Sequence, residues 1–179
     1  MAVLNVNPTR MELTRLKKQL ATALRGHKLL KDKRDELMRQ FLDMIRETKT
    51  LREEVEERLK SVNNDFVLAS SVMSKEELDT ALLAPKQEVY LAASTRNVMS
   101  VDIPVYSFKT RTSEQSDIFS YGFASTSFEL DDAVSGLSDL LPKMLKLAEM
   151  EKSVKLMADE IEKTRRRVNA LEHVMIPRY

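Results

Sequence analysis

Two histidines, His27 and His173, and no cysteine stand in this 179-residue chain. Neither histidine has an ExxH or HExxH neighbour, so the paired ligands of a helical di-metal or zinc site are missing. Without cysteine there can be no disulfide, thiolate metal site or thiol nucleophile, and the composition suits a reducing compartment. The three glycines, Gly26, Gly122 and Gly136, are too scattered to cradle a phosphate, and no GxxxxGK[ST] loop occurs. Glu53, Glu54, Glu56 and Glu57 crowd one stretch, which reads as a solvated helix face. No Ser-His-acid arrangement can be assembled. Catalysis is therefore the least supported class, and we expect no catalytic, cofactor-binding or metal-ligating residue.

Charge placement is more informative than the net charge of +1. From Pro8 to Arg39 ten Lys/Arg stand against four acids, and from Glu162 to Arg178 five stand against two. Both ends are basic and the middle is acidic. Such ends fit a solvated face, a surface for an acidic protein partner, or a phosphate-following helix. A nucleic-acid-binding or tethering coiled coil is the alternative reading. Against nucleic acid stand the near-neutral total and the interleaving of the basic residues with leucines, so no nucleic-acid partner is expected. No apolar run approaches the ~20 residues of a spanning helix, and the N-terminus lacks a signal-peptide core, so direct membrane insertion is not expected.

These charges must be carried by long helices. Only three Gly and five Pro occur, and long stretches are rich in Leu, Glu, Lys and Arg. Asn7-Pro8 predicts a helix start, with Asn as cap and Pro at the first helical position. One column of a seven-residue repeat then reads Leu13, Leu20, His27, Arg34, Phe41, Thr48, Val55 and Val62. Its partner column reads Leu16, Ala23, Leu30, Leu37, Met44, Leu51 and Arg58. Eleven of these fifteen positions are apolar, which predicts a left-handed coiled coil. A second seam reads Leu140, Leu147, Val154, Ile161, Val168 and Met175, with Lys143, Met150, Met157, Thr164 and Leu171 beside it. Thr126-Ser127-Phe128-Glu129 has capping-box spacing, placing that helix start near Ser127. Pro142 predicts a kink or short break within it.

The middle is different. Seven of the ten aromatics lie between Tyr90 and Phe128. Alternation around Val89, Leu91 and Ala93, and again at Val101, Ile103 and Val105, predicts a hairpin turning near Arg96-Asn97, with Pro104 confined to an edge. Lys75 to Ala84 reads as a short helix capped by Ser74. The expected fold is mainly α: a long antiparallel two-helix left-handed coiled coil with a small α/β head. The expected parts are 1–66 (long helix), 67–126 (head) and 127–179 (returning helix). Facing positions should then total about 200 on matched helical rise, which sets His27 near Glu172 and Arg34 near Arg166. Leu13, Leu16 and Leu20 would face numbers past 179 and need another partner. Gly26, inside a helix, fits either close approach of another backbone or a tolerated surface position.

Two segments carry a resemblance. Asn7 to Met38, NPTRMELTRLKKQLATALRGHKLLKDKRDELM, is similar to the N-terminal signature of the D-subunit family of V-type/A-type ATP synthases. Glu162 to Arg178, EKTRRRVNALEHVMIPR, is similar to its C-terminal signature in a prokaryotic-like wording, and LLPKMLKLAEMEK from Leu140 also fits. Family members usually continue for about thirty residues past this point, so a shortened chain is expected.

The resemblance implies a non-catalytic rotor shaft, the central stalk, without cofactors. It would lie on the axis of a ring of A and B subunits, with the F subunit bound one-to-one at its side and a connecting subunit joining it to the membrane rotor. It would be cytoplasmic and peripheral to the membrane through the complex. On this reading Arg10, Arg15, Lys17, Lys18, Arg25, Lys28, Arg165, Arg166 and Arg167 face the A/B ring as a bearing. They would otherwise be a solvated face, or pair with Asp32, Asp35, Glu36 or Glu172 across the helices. The hairpin fits its own small core or an edge completed by a partner.

Overall fold

Thr9, not Asn7, starts the first helix. In the computed structural model, which describes residues 7–112, 114–122 and 126–179, Thr9 Oγ1 accepts the Glu12 amide at 3.3 Å. The Thr9 carbonyl accepts the Leu13 amide at 3.1 Å, and Thr9 N–H is itself tied to the Asn7 carbonyl at 2.7 Å. The hydroxyl reaches the third helical amide, so the cap lies two residues past the expected one. Helix α1 (Arg10–Val72) then runs for 63 residues.

Ser74, with extended backbone, separates α1 from α2 (Lys75–Leu82) and caps the latter through a reciprocal box with Glu77. Strands β1 (Val89–Val98) and β2 (Val101–Thr110) form a two-stranded antiparallel hairpin. It turns at Met99-Ser100, three residues beyond the expected place, with φ of 51° and 71°. Two left-handed residues make the tight turn whose twist suits a hairpin. Neither residue is the Gly, Asn or Asp favoured at positive φ, and Asn97 braces the turn: its Oδ1 accepts the Ser100 amide at 3.1 Å and its amide donates to Asp102 at 2.6 Å. The Arg111 amide donates to the Glu88 carbonyl at 2.9 Å, which extends the same register and puts Pro104 in a non-hydrogen-bonded pair. Its missing N–H therefore breaks no ladder bond.

A 3₁₀ turn (Gln115–Ile118) precedes α3 (Phe128–Ala170), which passes through Pro142 without a break in helical structure. Pro142 is exposed, so water can serve the Ser138 carbonyl that its ring cannot. At the start of α3 the Leu130 amide bonds the Ser127 carbonyl. The expected side-chain box does not form: Thr126 Oγ1 turns back to the Gly122 carbonyl at 3.2 Å, and Ser127 Oγ has no partner among the described residues. After Ala170 the backbone widens into a π turn (Leu171–Met175) and ends in a short α turn (Ile176–Arg178). Pro177 cannot donate to the His173 carbonyl, as an α-helical continuation would require.

The chain divides into two compact units. One holds Met1–Met44, Asn97–Asp102 and Val154–Tyr179; the other holds Ile45–Arg96 and Ile103–Ser153. In the first, α1 pairs antiparallel with α3 and the π turn after it, with Lys33 Nζ to Glu160 of α3 at 3.4 Å and His27 Nε2 to Glu172 of the π turn at 3.5 Å. In the second they pair in the same sense, through Lys143 to Glu54 and Arg52 to Glu151 at 3.8 Å. In both, partner numbers total close to the expected ~200. The end of the second unit is closed by Ala69 of α1, Met73 just after it, Ala81 of α2 and Leu130 of α3, with Tyr121 and Val134 packed against them.

The glycines differ in a way that sequence did not reveal. A Cβ at Gly26 would meet nothing within 4 Å, whereas one at Gly136 would come 2.9 Å from Val62 Cγ2. Gly26 is thus a tolerated helical glycine, and the close approach is at Gly136. Gly26→Ala should stabilise the chain by up to ~1 kcal/mol. Gly136→Ala should destabilise it, because the stiff Val62 side chain must yield. Urea melts of both variants check the opposite signs.

Candidate functional site

The sequence points to stiffness and to presented charge, so the relevant features are a seam and a surface. In the first unit Leu37, Met157 and Val168 are fully buried and Ile161 nearly so. Leu16, Leu20, Ala23, Leu30, Phe41, Met44, Val154 and Leu171 are half-buried along the same columns. Leu13 is 53% exposed. In the second unit Val55 and Leu140 are buried, with Leu51, Val62, Leu147 and Met150 half-buried around them. The remaining faces of α1 are mostly exposed. Not every position of the seven-residue repeat is covered: Leu13, Arg58 and Met175 are exposed.

The polar interruptions behave individually. His27 reaches across to Glu172. Arg34 instead turns along its own helix, bonding Asp35 Oδ1 at 2.9 and 2.7 Å. Arg58 is exposed and its pair with Glu54, at 3.8 Å, is also on its own helix. Thr164 is fully buried at a seam position, and its Oγ1 has no partner among the described residues.

All nine candidate bearing residues, Arg10, Arg15, Lys17, Lys18, Arg25, Lys28, Arg165, Arg166 and Arg167, are exposed and lie in the first unit. Arg15 pairs with Glu12 at 3.4 Å and Arg166 with Glu162, each one turn away on its own helix. Three acids that could have answered them across the helices are engaged elsewhere: Asp35 with Arg34, Glu36 with Arg39, and Glu172 with His27. Hydrogen bonds from Arg39 and Gln40 hold the Glu36 carboxyl below its ordinary value. The consecutive positions 165 to 167 fan around the helix at about 100° each, so the three arginines cannot share one face.

Sequence reading missed Glu149, whose carboxylate ties the hairpin to α3. Its Oε2 accepts the Tyr106 amide at 2.9 Å and its Oε1 accepts Lys146 Nζ at 2.6 Å. Tyr106, like Pro104, directs its backbone nitrogen away from β1. Glu149 and Pro104 therefore protect the outer edge of β2. Burial pushes the Glu149 carboxyl up, but Lys146 and the Tyr106 amide outweigh it, and the net displacement is downward. A carboxylate lowered in the folded state contributes stability above its unfolded pKa and loses it as pH falls through the folded value. Glu149→Ala should cost about 1.5–3 kcal/mol, and the deficit relative to the parent should shrink on acidification. Amide exchange at Tyr106 reads the same tie locally.

At the closed end of the second unit, Tyr121 donates to Asp131 at 2.8 Å, and burial together with that carboxylate raises its phenol well above the ordinary value. Among the described residues no group of three His, Cys, Asp or Glu could hold a metal ion, and no helix is long and apolar enough to cross a membrane.

The family model for the ATP synthase D subunit matches residues 12–179. The chain belongs to the ATP synthase D-subunit family. Among similar proteins is the V-type ATP synthase D subunit of Acetivibrio thermocellus, 64% identical over 99% of this chain and 80% of the relative. The V-type ATP synthase D subunit of Clostridioides difficile is 62% identical over 100% and 80%, and that of Clostridium novyi 57% over 99% and 82%. The paired seams, the hairpin and the basic first unit are thus features of a D-subunit chain, a component of a V-type ATP synthase.

Proposed function

We propose that this chain is the central shaft of a rotary V-type/A-type ATP synthase, carrying torque between the A/B catalytic ring and the membrane rotor without catalysing a reaction itself. One observation supports this reading above the others: two long helices paired antiparallel through buried apolar columns, in a chain of the D-subunit family. A torque-bearing element must resist sliding of one helix past the other, and interdigitated columns do so.

The nine exposed cations of the first unit then face the ring. Charge contacts are long-ranged and weakly directional, so they can be exchanged during turning, where interlocked apolar surfaces would jam. At the closed end of the second unit, exposed Val72, Leu83 and Phe128 form the apolar contact for the connecting subunit. The F subunit binds one-to-one at the side. The whole is cytoplasmic and held at the membrane only through its partners.

Mixing the purified chain with A and B subunits tests the proposal. ATPase turnover should change on addition of the chain, and the change should weaken with added salt. Turnover indifferent to the chain would remove the shaft reading.

A further inference from the structure

The hairpin guards one of its edges and leaves the other bare. The register that joins the Arg111 amide to the Glu88 carbonyl places Val89, Leu91, Ala93 and Thr95 in non-hydrogen-bonded pairs. Their amides and carbonyls therefore face away from β2, and the two-stranded sheet holds no further strand to receive them. The outer edge of β2 carries Pro104 and is tied to Glu149 through the Tyr106 amide. Strand β1, VYLAASTRNV, has no proline or glycine, and its single charged residue is Arg96. Every residue from Val89 to Asn97 is exposed. A long, uncovered and weakly charged edge is a template for another strand.

The face beside that edge is apolar. Val89, Leu91 and Phe108 are exposed large hydrophobic residues, and the register sets Leu91 beside Phe108 across the hairpin. The charges at the two ends of β1 narrow what can complete it. Glu88, just before the strand, and Arg96, near its far end, are both exposed. Glu88 accepts the Tyr90 hydroxyl at 2.6 Å and lies 3.7 Å from Arg111, and a carboxylate has lone pairs for a further donor.

We propose that β1 pairs antiparallel with β1 of a second copy of this chain, about a twofold axis at Ala92. This register sets Glu88 of each copy opposite Arg96 of the other, in non-hydrogen-bonded pairs where side chains approach most closely. Val89 meets Thr95 and Leu91 meets Ala93 in hydrogen-bonded pairs, so the bare amides and carbonyls are answered. The in-phase registers on either side put Arg96 opposite Lys86 or Tyr90 and lose both ion pairs. The two hairpins become one continuous sheet. The dimer belongs to the free chain and does not depend on the shaft reading.

Sedimentation velocity of the full chain across about 1–200 µM, where small interfaces begin to hold, should show a reversible monomer–dimer equilibrium. A93P removes an outward amide without touching a bond between β1 and β2. It should return the chain to monomer with its melting little changed. E88R and R96E should each weaken the dimer by about tenfold or more, and E88R/R96E should regain most of that loss. Where E88R disturbs the hairpin, A92C provides a second reading. Opposed Cα atoms in such a pair stand about 4.5 Å apart, within disulfide reach. A92C should therefore join two copies under oxidised glutathione, while Ala84→Cys, exposed but outside β1, should not. A chain that stays monomeric throughout, or a dimer indifferent to A93P, would overturn the proposal. So would β1 amides that gain exchange protection only when the F subunit is added, which would give the edge to that partner.

Discussion

Leu37→Ala lowers the stability of the folded chain by about 3–4 kcal/mol, within the usual range for emptying a fully buried leucine site. Leu37 is 0% exposed in the first unit, where Met157, Ile161 and Val168 are also buried. Long paired helices have little freedom to collapse around a void, because each turn is held by its neighbours along both seams. The cavity should therefore persist, and the cost should sit above the transfer term alone. Leu13 is the internal comparison: it occupies the same repeat but is 53% exposed, so Leu13→Ala should change stability by less than ~0.5 kcal/mol. Urea unfolding followed by helical circular dichroism reads both. Equal losses would mean that the repeat, rather than its burial, had been mistaken for the source of stability.

Reversing Arg15, Lys17 and Lys18 to Glu together with Arg165, Arg166 and Arg167 should slow association with the A/B ring by about 10- to 100-fold at low salt. The melting of the isolated chain should barely move. The six cations are exposed, and the two with ion-pair partners, Arg15 and Arg166, use acids on their own helices. Exposed pairs of that kind contribute little to folding. Added salt should erase the difference between parent and variant, because the steering field is screened over about a Debye length. An unchanged association rate would leave these side chains as a solvated face.

The helices were legible because burial follows period. A 3.5-residue repeat can be read from one strand of sequence, and matched helical rise then sets which residues meet. His27 facing Glu172 followed from those two facts alone. The features that escaped depend on side-chain geometry with no period. The cap at Thr9 beat Asn7-Pro8 by a hydroxyl reaching one amide. The hairpin turned at Met99-Ser100, two residues not favoured at positive φ, with Asn97 bonding the Ser100 amide three residues on, a specific side-chain contact that residue propensity does not encode. Pro142 lies inside an unbroken α3 at an exposed position. Glu149 looked like one more helix acid, since its partner is a backbone amide 43 positions away. The nine basic residues could be named from sequence, but that all nine are exposed follows only from the folded structure.

Cysteine is absent from the chain, so Ala84→Cys, at an exposed position in the second unit, would provide a unique attachment point for an optical probe. With the A and B subunits immobilised and the labelled chain assembled on them, the most direct measurement is the probe's orientation during ATP hydrolysis. The shaft account predicts sustained turning in one direction that stops when ATP is exhausted. A probe that stays fixed, or only jitters, while the ring continues to hydrolyse ATP would contradict it.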